Sequence, residues 1–437
     1  MKLASLKLLP LCILFAVTGH AQTPNMKAER DRARVMITSI KNDVKKNYYD
    51  PTFKGIDLDA KAAESFAKIE KAESVGQMHG IVAQFLVDFD DSHMFFNPPE
   101  KANETDFGVD FEMIGSKCFV TKVKKDSDAE KKGLQPGDEI YAINGIAPVR
   151  ENLWKLRYSF FYLRPQPALK FITIKPDGKI FESVIVPKIT VGKRLTDLTE
   201  NMAANNFARK VDAEYEKETT QYYHTVDDVY IWKMPAFNIS PDAVDSMFAK
   251  AERSKGLIID LRGNSGGYLV TLQRLLGNLF DHNVKIGDEK RRKETKEQIA
   301  KTRGKDAYSG KLVVLIDSES ASASELLARV VQIEKRGTVV GDVSEGAVME
   351  AQQFSYTAGL DVIVPFGASI TVADLIMTDG KSLEKVGVAP DVVLLPTGKD
   401  MSLKRDVALS KALDLLGKTV TPEAAGAFFS DINADKN

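Results

Sequence analysis

Cysteine is scarce in this chain of 437 residues, and long runs of one charge are missing altogether. There are 2 cysteines, Cys12 and Cys118, against 60 lysines and arginines and 61 aspartates and glutamates, which gives a formal net charge of −1. Without a basic run or a basic excess, the sequence does not point to nucleic-acid binding. Two cysteines also exclude a fold held together by disulfides, so stability has to come from apolar cores.

A long apolar run is present only at the amino terminus. Lys2 and Lys7 precede the run Leu8–Val17, and small residues around Ala21 suit a cleavage site. This pattern is typical of a secretory signal peptide, and the run is too short to cross a bilayer comfortably. We therefore expect an exported protein, periplasmic or secreted after cleavage near Ala21, with no stable membrane anchor and with Cys118 as its remaining cysteine.

The rest of the chain changes character several times, which predicts a multidomain α+β protein. We expect a signal peptide at 1–21, a helical bundle at 26–98, a β-rich domain at 103–192, a connector at 193–225, an α/β core at 226–398, and a closing helix with a tail at 399–437. Alternating strand and helix patterns in the core indicate a largely parallel sheet. Finer expectations are a hairpin-like pair at Asp361–Pro365 and Ser369–Val372, a single helix at 402–416, and a tail with little order at 422–437.

The strongest candidate for chemistry lies within residues 312–330. The apolar run Leu312–Ile316 predicts a buried strand, Ser318–Ser324 a tight polar turn, and the apolar spacing from Glu325 onward a helix. Such a geometry lifts a serine to the carboxyl end of a sheet and points backbone N–H groups at it. The ordinary alternative is a helix cap, because serine is favoured at helix starts.

A second stretch, Gly256–Gly267, combines an apolar strand with a turn that carries three glycines in its last five residues. The free N–H groups of such a turn can bind an anion. A phosphate loop would continue with Lys and Ser or Thr, but Tyr268 and Leu269 stand there. The other candidate anion is the oxyanion of an acyl-transfer intermediate. A plain strand-to-helix turn is the alternative without chemistry.

Residues 129–145, AEKKGLQPGDEIYAING, resemble the core signature of a PDZ domain. Gly133 and Gly137 would serve turns that need a positive φ, and Pro136 would fix the turn entry. The resemblance implies a carboxylate-binding loop, which captures a peptide C-terminus while the peptide adds as a strand. That loop would consist of Phe107, Gly108, Val109, Asp110 and Phe111. The alternative is a PDZ-like module with a closed groove that serves as a structural lid.

Four stretches together resemble the tricorn-like and carboxy-terminal-processing serine peptidases. They are LIIDLRGNSGG at 257–267, SASASE at 320–325, KRGTVVGD at 335–342 and DGKSLEKVGVAPD at 379–391. The resemblance covers almost all of the chain after the signal peptide and implies a ClpP/crotonase-like α/β core. It also implies Ser322 as the nucleophile, with the backbone amides of Gly266, Gly267 and Ala323 as oxyanion donors.

One position departs from the processing branch of that family and decides the expected mechanism. That branch uses a lysine as the base, whereas the matching position here holds Ala347, and a serine without a base is a poor nucleophile. Asp91-Ser92-His93 resembles the segment of the tricorn-like branch whose histidine is the general base. The resemblance then implies His93 as base, with Ser92 and Glu384 holding its tautomer. Asp379, Asp361 and Glu345 are acidic alternatives to Glu384.

We therefore expect an exported serine endopeptidase that hydrolyses polypeptides through an acyl-enzyme, with the PDZ-like domain presenting a polypeptide end. No metal or organic cofactor is expected, because no cluster of His, Cys and carboxylates has ligand spacing. Two alternatives stay open: an inactive relative that binds a lipid or retinoid, and an adaptor that binds peptides through the PDZ groove. The sequence does not define an oligomeric state.

Overall fold

The computed structural model describes residues 25–99, 103–191, 216, 218–359 and 363–430, so the expected signal peptide and most of the expected connector lie outside the described residues. The helices are α1 (Met26–Asn47), α2 (Leu58–Glu70), α3 (Val75–Val87), α4 (Asp128–Lys131), α5 (Arg150–Arg157), α6 (Pro241–Ala251), α7 (Leu269–Leu279), α8 (Ala323–Ile333), α9 (Gly398–Ser402), α10 (Val407–Leu415) and α11 (Pro422–Ala427). A π-helical segment, Tyr158–Leu163, follows α5. None of the described helices has the length and apolar character needed to span a bilayer.

The strands complete the described part of the chain. They are β1 (Phe95–Asn97), β2 (Asn103–Asp106), β3 (Val109–Ile114), β4 (Lys117–Val123), β5 (Glu139–Ile143), β6 (Leu169–Ile174), β7 (Ile180–Ile185), β8 (Lys188–Val191), β9 (Tyr222–Val226), β10 (Val229–Lys233), β11 (Gly256–Asp260), β12 (Val284–Arg291), β13 (Thr295–Ala300), β14 (Lys311–Ile316), β15 (Thr338–Gly341), β16 (Glu350–Ala358), β17 (Val364–Met377) and β18 (Val392–Val393).

Helices α1, α2 and α3 form the expected amino-terminal bundle. Each helix is preceded by a polar cap residue, which is Asn25, Asp57 or Ser74. The side chain of this residue accepts a hydrogen bond from a backbone N–H group of the first turn. Their apolar faces pack together in one core, and Phe366 and Ile370 of β17 belong to the same core. The bundle is therefore joined through its interior to a strand near the carboxyl end of the chain.

Strands β3 to β7 form an antiparallel sheet in the order β3-β4-β5-β6-β7, so β3 is an edge strand. Gly133 at φ +78° and Gly137 at φ +94° adopt the left-handed conformation that the PDZ signature predicts. The edge strand lies against the α/β core, because the Gly115 amide donates to Asp342 Oδ2 at 2.7 Å and Ser318 Oγ donates to the Met113 carbonyl at 2.5 Å.

The α/β core is built on a six-stranded sheet in the order β18-β15-β14-β11-β10-β9. All neighbours from β18 to β10 are parallel, and β9 pairs with β10 in the antiparallel sense. Helices α6, α7 and α8 cover one face, whereas α10 and α11 cover the other. The expected largely parallel sheet is confirmed. Because β11 and β14 are parallel neighbours, the glycine turn and the serine turn emerge at the same edge.

The expected hairpin-like pair at Asp361–Pro365 and Ser369–Val372 is wrong. Residues 364–377 form one strand, β17, which pairs with β1, β12 and β16. Pro365 and Gly367 suggest a break in the sequence, but the strand continues because it is buried on both sides. Its first half packs into the core of the bundle, and its second half, with Leu375 and Met377, packs into the α/β core.

The carboxyl-terminal region also differs from expectation. The single helix expected at 402–416 is two helices, since α9 ends at Ser402 and α10 begins at Val407 after the cap residue Asp406. The expected tail begins with helix α11, in which Ala425 is buried against the second face of the sheet. The hairpin β12–β13 was not predicted, because its sequence is charged and only partly buried.

Candidate active site

Ser320, Ser322 and Ser324 lie in the turn after β14 and at the start of α8, and two of these three serines serve the structure. Ser320 Oγ donates to the Leu261 carbonyl at 2.9 Å, and Ser324 Oγ donates to the Asn264 carbonyl at 2.9 Å. Both serines are fully buried. The Ser322 side chain, in contrast, makes no capping hydrogen bond at the start of α8. Its hydroxyl is therefore the one of the three that the described turn leaves available for chemistry.

Ser322 has a strained backbone, with φ +53° and ψ −117°, a region that residues with a Cβ avoid. Two acceptors hold its amide in place: the Ala347 carbonyl at 2.9 Å and Glu325 Oε2 at 3.0 Å. The Glu325 carboxylate also accepts from Ser344 Oγ at 2.6 Å, from the Gly346 amide at 2.8 Å and from the Ala347 amide at 2.9 Å. One buried carboxylate thus ties the serine turn to the segment 344–347.

The glycine turn packs directly on this serine. A methyl group at Gly266 would lie 2.7 Å from Ser322 Cβ and 3.0 Å from the Ala323 nitrogen, so only glycine permits the approach. The Gly266 amide donates to Asn264 Oδ1 at 2.8 Å and is engaged there. Phe237 pairs in parallel with this turn: its amide donates to the Gly266 carbonyl at 2.7 Å, and its carbonyl accepts from the amide of the residue after Gly267 at 3.2 Å.

Two backbone amides beside Ser322 are consequently free of the surrounding ladder. Gly267 lies between the two hydrogen-bonded residues of the parallel pairing and contributes neither of its own groups to it. Ala323 is the first residue of α8, and the first N–H groups of a helix have no partner within it. The arrangement can therefore offer two N–H groups to a developing negative charge.

A three-membered relay connects Glu384 to His93. Ser92 Oγ lies 2.8 Å from His93 Nδ1 and 2.8 Å from Glu384 Oε2, and the Ser92 amide donates to Glu384 Oε1 at 2.9 Å. An ionised carboxylate can only accept, so the Ser92 hydroxyl donates to Glu384 and accepts from the Nδ1–H group of His93. This leaves Nε2 of His93 without a proton, which is the state that a general base requires.

Burial sets the protonation of both ends of this relay. It lowers the pKa of His93 below the ordinary imidazole value, and the nearby negative charge of Asp91 opposes that shift. Burial raises the pKa of Glu384, and the two hydrogen bonds from Ser92 partly offset the rise. The imidazole is therefore held neutral near neutral pH, ready to accept a proton.

Hydrogen bonds also link the relay to the nucleophile turn, although His93 and Ser322 are far apart in sequence. Glu384 Oε2 accepts from the Val348 amide at 3.2 Å, and the preceding residue, Ala347, accepts from the Ser322 amide at 2.9 Å. The structure thus brings Ser92, His93 and Glu384 together and connects them to Ser322 through two consecutive residues.

Other acids and histidines have different partners. Asp379 forms an ion pair with Arg329 at 2.5 Å, and Asp361 lies outside the described residues. His282 bonds Asp281 at 2.8 Å on the surface. Across the described ranges, no three His, Cys, Asp or Glu side chains converge as a metal site would need.

Comparison with known proteins finds two matching family models and several relatives. Residues 229–394 match the family model described as Peptidase family S41, and residues 100–153 match the PDZ domain model. Carboxy-terminal processing protease CtpB of Bacillus subtilis is 25% identical over 361 residues, which cover 78% of this chain and 68% of CtpB. The tail-specific protease of Haemophilus influenzae is 27% identical over 272 residues, covering 60% of this chain and 36% of that protein. Residues 229–394 thus resemble Peptidase family S41, and these curated relatives are carboxy-terminal processing or tail-specific proteases.

Solved structures resemble this chain in fold. Mature CPAF complexed with lactacystin has a TM-score of 0.63 at 14% identity, and the match covers 92% of this chain and 99% of that chain. The photosystem II D1 C-terminal processing protease has a TM-score of 0.53 at 19% identity, with 90% and 99% covered. The helical amino terminus, PDZ domain and α/β core expected from the sequence are therefore confirmed. The chain spans about two thirds or less of the length of the relatives named above.

The loop expected to bind a peptide carboxylate is well packed. Phe107, Val109 and Phe111 are buried, and Asp110 is exposed. The Gly108 amide donates to Asp106 Oδ1 at 2.8 Å. The ring of Phe161 packs on Phe107 and Phe111, with centroids 5.2 Å and 5.8 Å apart.

The free edge of β3 also has internal partners. The guanidinium of Arg157 donates to the Phe111 carbonyl, and Ser318 of the nucleophile turn donates to the Met113 carbonyl. Arg157 further forms an ion pair with Glu319 at 2.7 Å. Peptide addition along β3 would therefore have to share or displace contacts that belong to the chain itself.

Two residues of the site were missed by sequence reasoning. Glu325 occupies the third position of α8 after Ser322, which is the spacing of a capping box and was a usable signal. Burial raises the pKa of Glu325 to about 7, although its four hydrogen bonds act in the opposite direction. Asp91 stands immediately before Ser92 and accepts from the nearby His93 amide, but its other two partners, Tyr48 and Thr371, lie far away in the sequence, so its role was not predicted.

Proposed function

We propose that this chain is an exported serine endopeptidase that cleaves polypeptides through an acyl-enzyme, with Ser322 as nucleophile and His93 as base. The observation that carries the proposal is the Ser92 hydroxyl, bonded at 2.8 Å to both His93 Nδ1 and Glu384 Oε2. This relay supplies the base that Ala347, in the position of the processing-branch lysine, does not provide.

We propose the following mechanism for these groups. His93 Nε2 takes the proton of the Ser322 hydroxyl as Oγ attacks the carbonyl carbon of the substrate. The carbonyl oxygen becomes an oxyanion, which the amides of Gly267 and Ala323 stabilise, while Gly266 allows the close approach. The imidazolium then donates its proton to the leaving amine, and the C–N bond breaks to give the acyl-enzyme. Water deprotonated by His93 hydrolyses that ester and restores the Ser322 hydroxyl.

Glu384 stays ionised through this cycle and acts on the base through Ser92. By accepting a hydrogen bond from the Ser92 hydroxyl, Glu384 fixes the Nδ1–H tautomer of His93. It also stabilises the imidazolium formed after proton transfer. We further propose that residues 1–21 direct export, and that the PDZ domain, with its loop 107–111, contacts the polypeptide near its C-terminus. That loop would act together with β3, which lies beside the nucleophile turn.

A fluorophosphonate probe tests the proposal directly. The purified chain should be labelled at Ser322, as located by peptide mass spectrometry, and labelling should disappear in Ser322→Ala and in His93→Ala. His282→Ala is the matched control, because His282 lies on the surface and bonds the adjacent Asp281 at 2.8 Å. Undiminished labelling of His93→Ala would overturn the role of the base. A folded wild-type chain that resists labelling would favour the non-catalytic binder or the PDZ adaptor.

A further inference from the structure

Asp91 is a buried carboxylate that the mechanism above does not use. It is 1% exposed and accepts three hydrogen bonds. The His93 amide donates to Oδ1 at 3.0 Å, Thr371 Oγ1 donates to Oδ1 at 2.6 Å, and the Tyr48 hydroxyl donates to Oδ2 at 3.2 Å. A buried carboxylate without hydrogen-bond partners would be strongly disfavoured at this depth, and the three donors supply those partners.

The donors come from three separate parts of the fold. Tyr48 is the residue that ends α1, His93 belongs to the turn after the bundle, and Thr371 lies in the middle of β17. The backbone of Thr371 is hydrogen-bonded as well. Its amide donates to Met94 Sδ at 3.3 Å, and its carbonyl accepts from the Tyr49 amide at 3.2 Å. Asp91 is thus the point where the bundle, the histidine turn and β17 are joined.

We propose that Asp91 is a positioning residue for His93, which fixes the backbone of the base and places a negative charge beside its imidazole. The proposal rests on the proposed function, since it concerns the same base. The effect of Asp91 on the backbone of His93 follows from the hydrogen bond that the His93 amide donates to Asp91 Oδ1. The Tyr48 and Thr371 bonds prevent the carboxylate from turning away.

Among the charged and titratable groups around His93, Asp91 acts most directly on the imidazole. Asp91 raises the pKa of His93 against the lowering by burial, and it is the charged neighbour that acts directly on the imidazole. Glu384 reaches the ring through Ser92. From α1, Tyr48 and Tyr49 remain neutral because burial raises the pKa of both, that of Tyr49 to about 12. Asp374 of β17 acts on Tyr49.

Asp91→Asn is the decisive variant, because it keeps the size and one acceptor oxygen but removes the charge. We expect the rate of fluorophosphonate labelling to fall by about tenfold or more, and the acid limb of its pH profile to move to lower pH by about half a unit or more. Asp90→Asn is the matched control, since the neighbouring Asp90 side chain is 68% exposed and pairs with Lys385 at 2.5 Å. It should change neither quantity.

A second measurement separates this proposal from the proposed function. In a Ser322→Ala background, NMR titration of histidine-labelled protein reports the pKa of His93 without any reaction. The pKa should be lower in Asp91→Asn than in the parent, and an unchanged value would overturn the positioning proposal even if His93→Ala abolishes labelling. If Asp91→Asn fails to fold, Tyr48→Phe serves instead. It should slow labelling several-fold without moving the acid limb, and wild-type labelling would contradict the proposal.

Discussion

Replacing Glu384 by glutamine tests whether the Ser92 hydroxyl relays between an acid and the base. Glu384 accepts three hydrogen bonds: the Ser92 amide at Oε1 (2.9 Å), and Ser92 Oγ (2.8 Å) and the Val348 amide (3.2 Å) at Oε2. Glutamine has nearly the same size but only one acceptor oxygen. In either orientation of its amide, an NH₂ group therefore faces groups that themselves donate.

The orientation of the glutamine side-chain amide decides how much of the labelling rate is lost. With NH₂ towards Ser92 Oγ, the hydroxyl accepts from the glutamine and donates to His93 Nδ1, which moves the imidazole proton to Nε2. The base is then in the wrong tautomer, and we expect a loss of about 10⁴ in rate, as in other serine-protease triads. With NH₂ towards the Ser92 amide, the charge and that one hydrogen bond are lost but the bond from Ser92 Oγ is kept, and a loss of about 10² in rate is expected. This range corresponds to about 3–5 kcal/mol of transition-state stabilisation.

The assay is the second-order rate of Ser322 labelling by a fluorophosphonate, measured at pH values on both sides of 6.5, the ordinary imidazole value. Because burial lowers the pKa of His93, the wild type should reach half of its maximal rate below pH 6.5. Asp379→Asn is the control, since Asp379 is paired with Arg329. A folded Glu384→Gln variant that labels within about tenfold of the wild type would refute the relay.

Two further predictions concern the nucleophile turn. Gly266→Ala should abolish labelling of Ser322, because the new methyl group would lie 2.7 Å from Ser322 Cβ. Gly263→Ala is the control, since its methyl group would have nothing within 4 Å. That variant should label normally and lose only about 1–2 kcal/mol of stability to backbone strain. Glu325→Gln should lower the free energy of unfolding by about 1–3 kcal/mol in a denaturant titration, because one pair of buried donors would face an NH₂ group. Since burial raises the pKa of Glu325 from 4.5 to about 7, its contribution to stability should fall as pH rises through that window, and the variant should lack this dependence.

Elements with local signatures could be predicted from the sequence. The apolar run before Ser318 and the helical spacing after Glu325 gave the strand, turn and helix around Ser322, because these patterns arise from residues close together in the chain. Which of the three serines is free could not be predicted, since the acceptors of Ser320 and Ser324 lie in the glycine turn.

The long-range parts of the site needed the resemblance or the structure. His93 and Glu384 were proposed from the family pattern, and nothing in composition or periodicity gives their separation in space. Asp379 and Glu384 are equally plausible acids in the sequence, but one is neutralised by Arg329 and the other bonds Ser92. Strand β17 was divided wrongly because Pro365 is a local signal, whereas its continuity depends on burial against two cores.

The length of β17 has a consequence for how the protein can be divided. Phe366 and Ile370 near its start belong to the interior of the bundle, and Leu375 and Met377 near its end belong to that of the peptidase core. A fragment starting at the core would leave the first half of this strand without its apolar cover and would remove His93 as well. The bundle and the core should therefore melt in one cooperative transition, and trimming from the amino end should yield aggregation-prone material rather than a smaller enzyme.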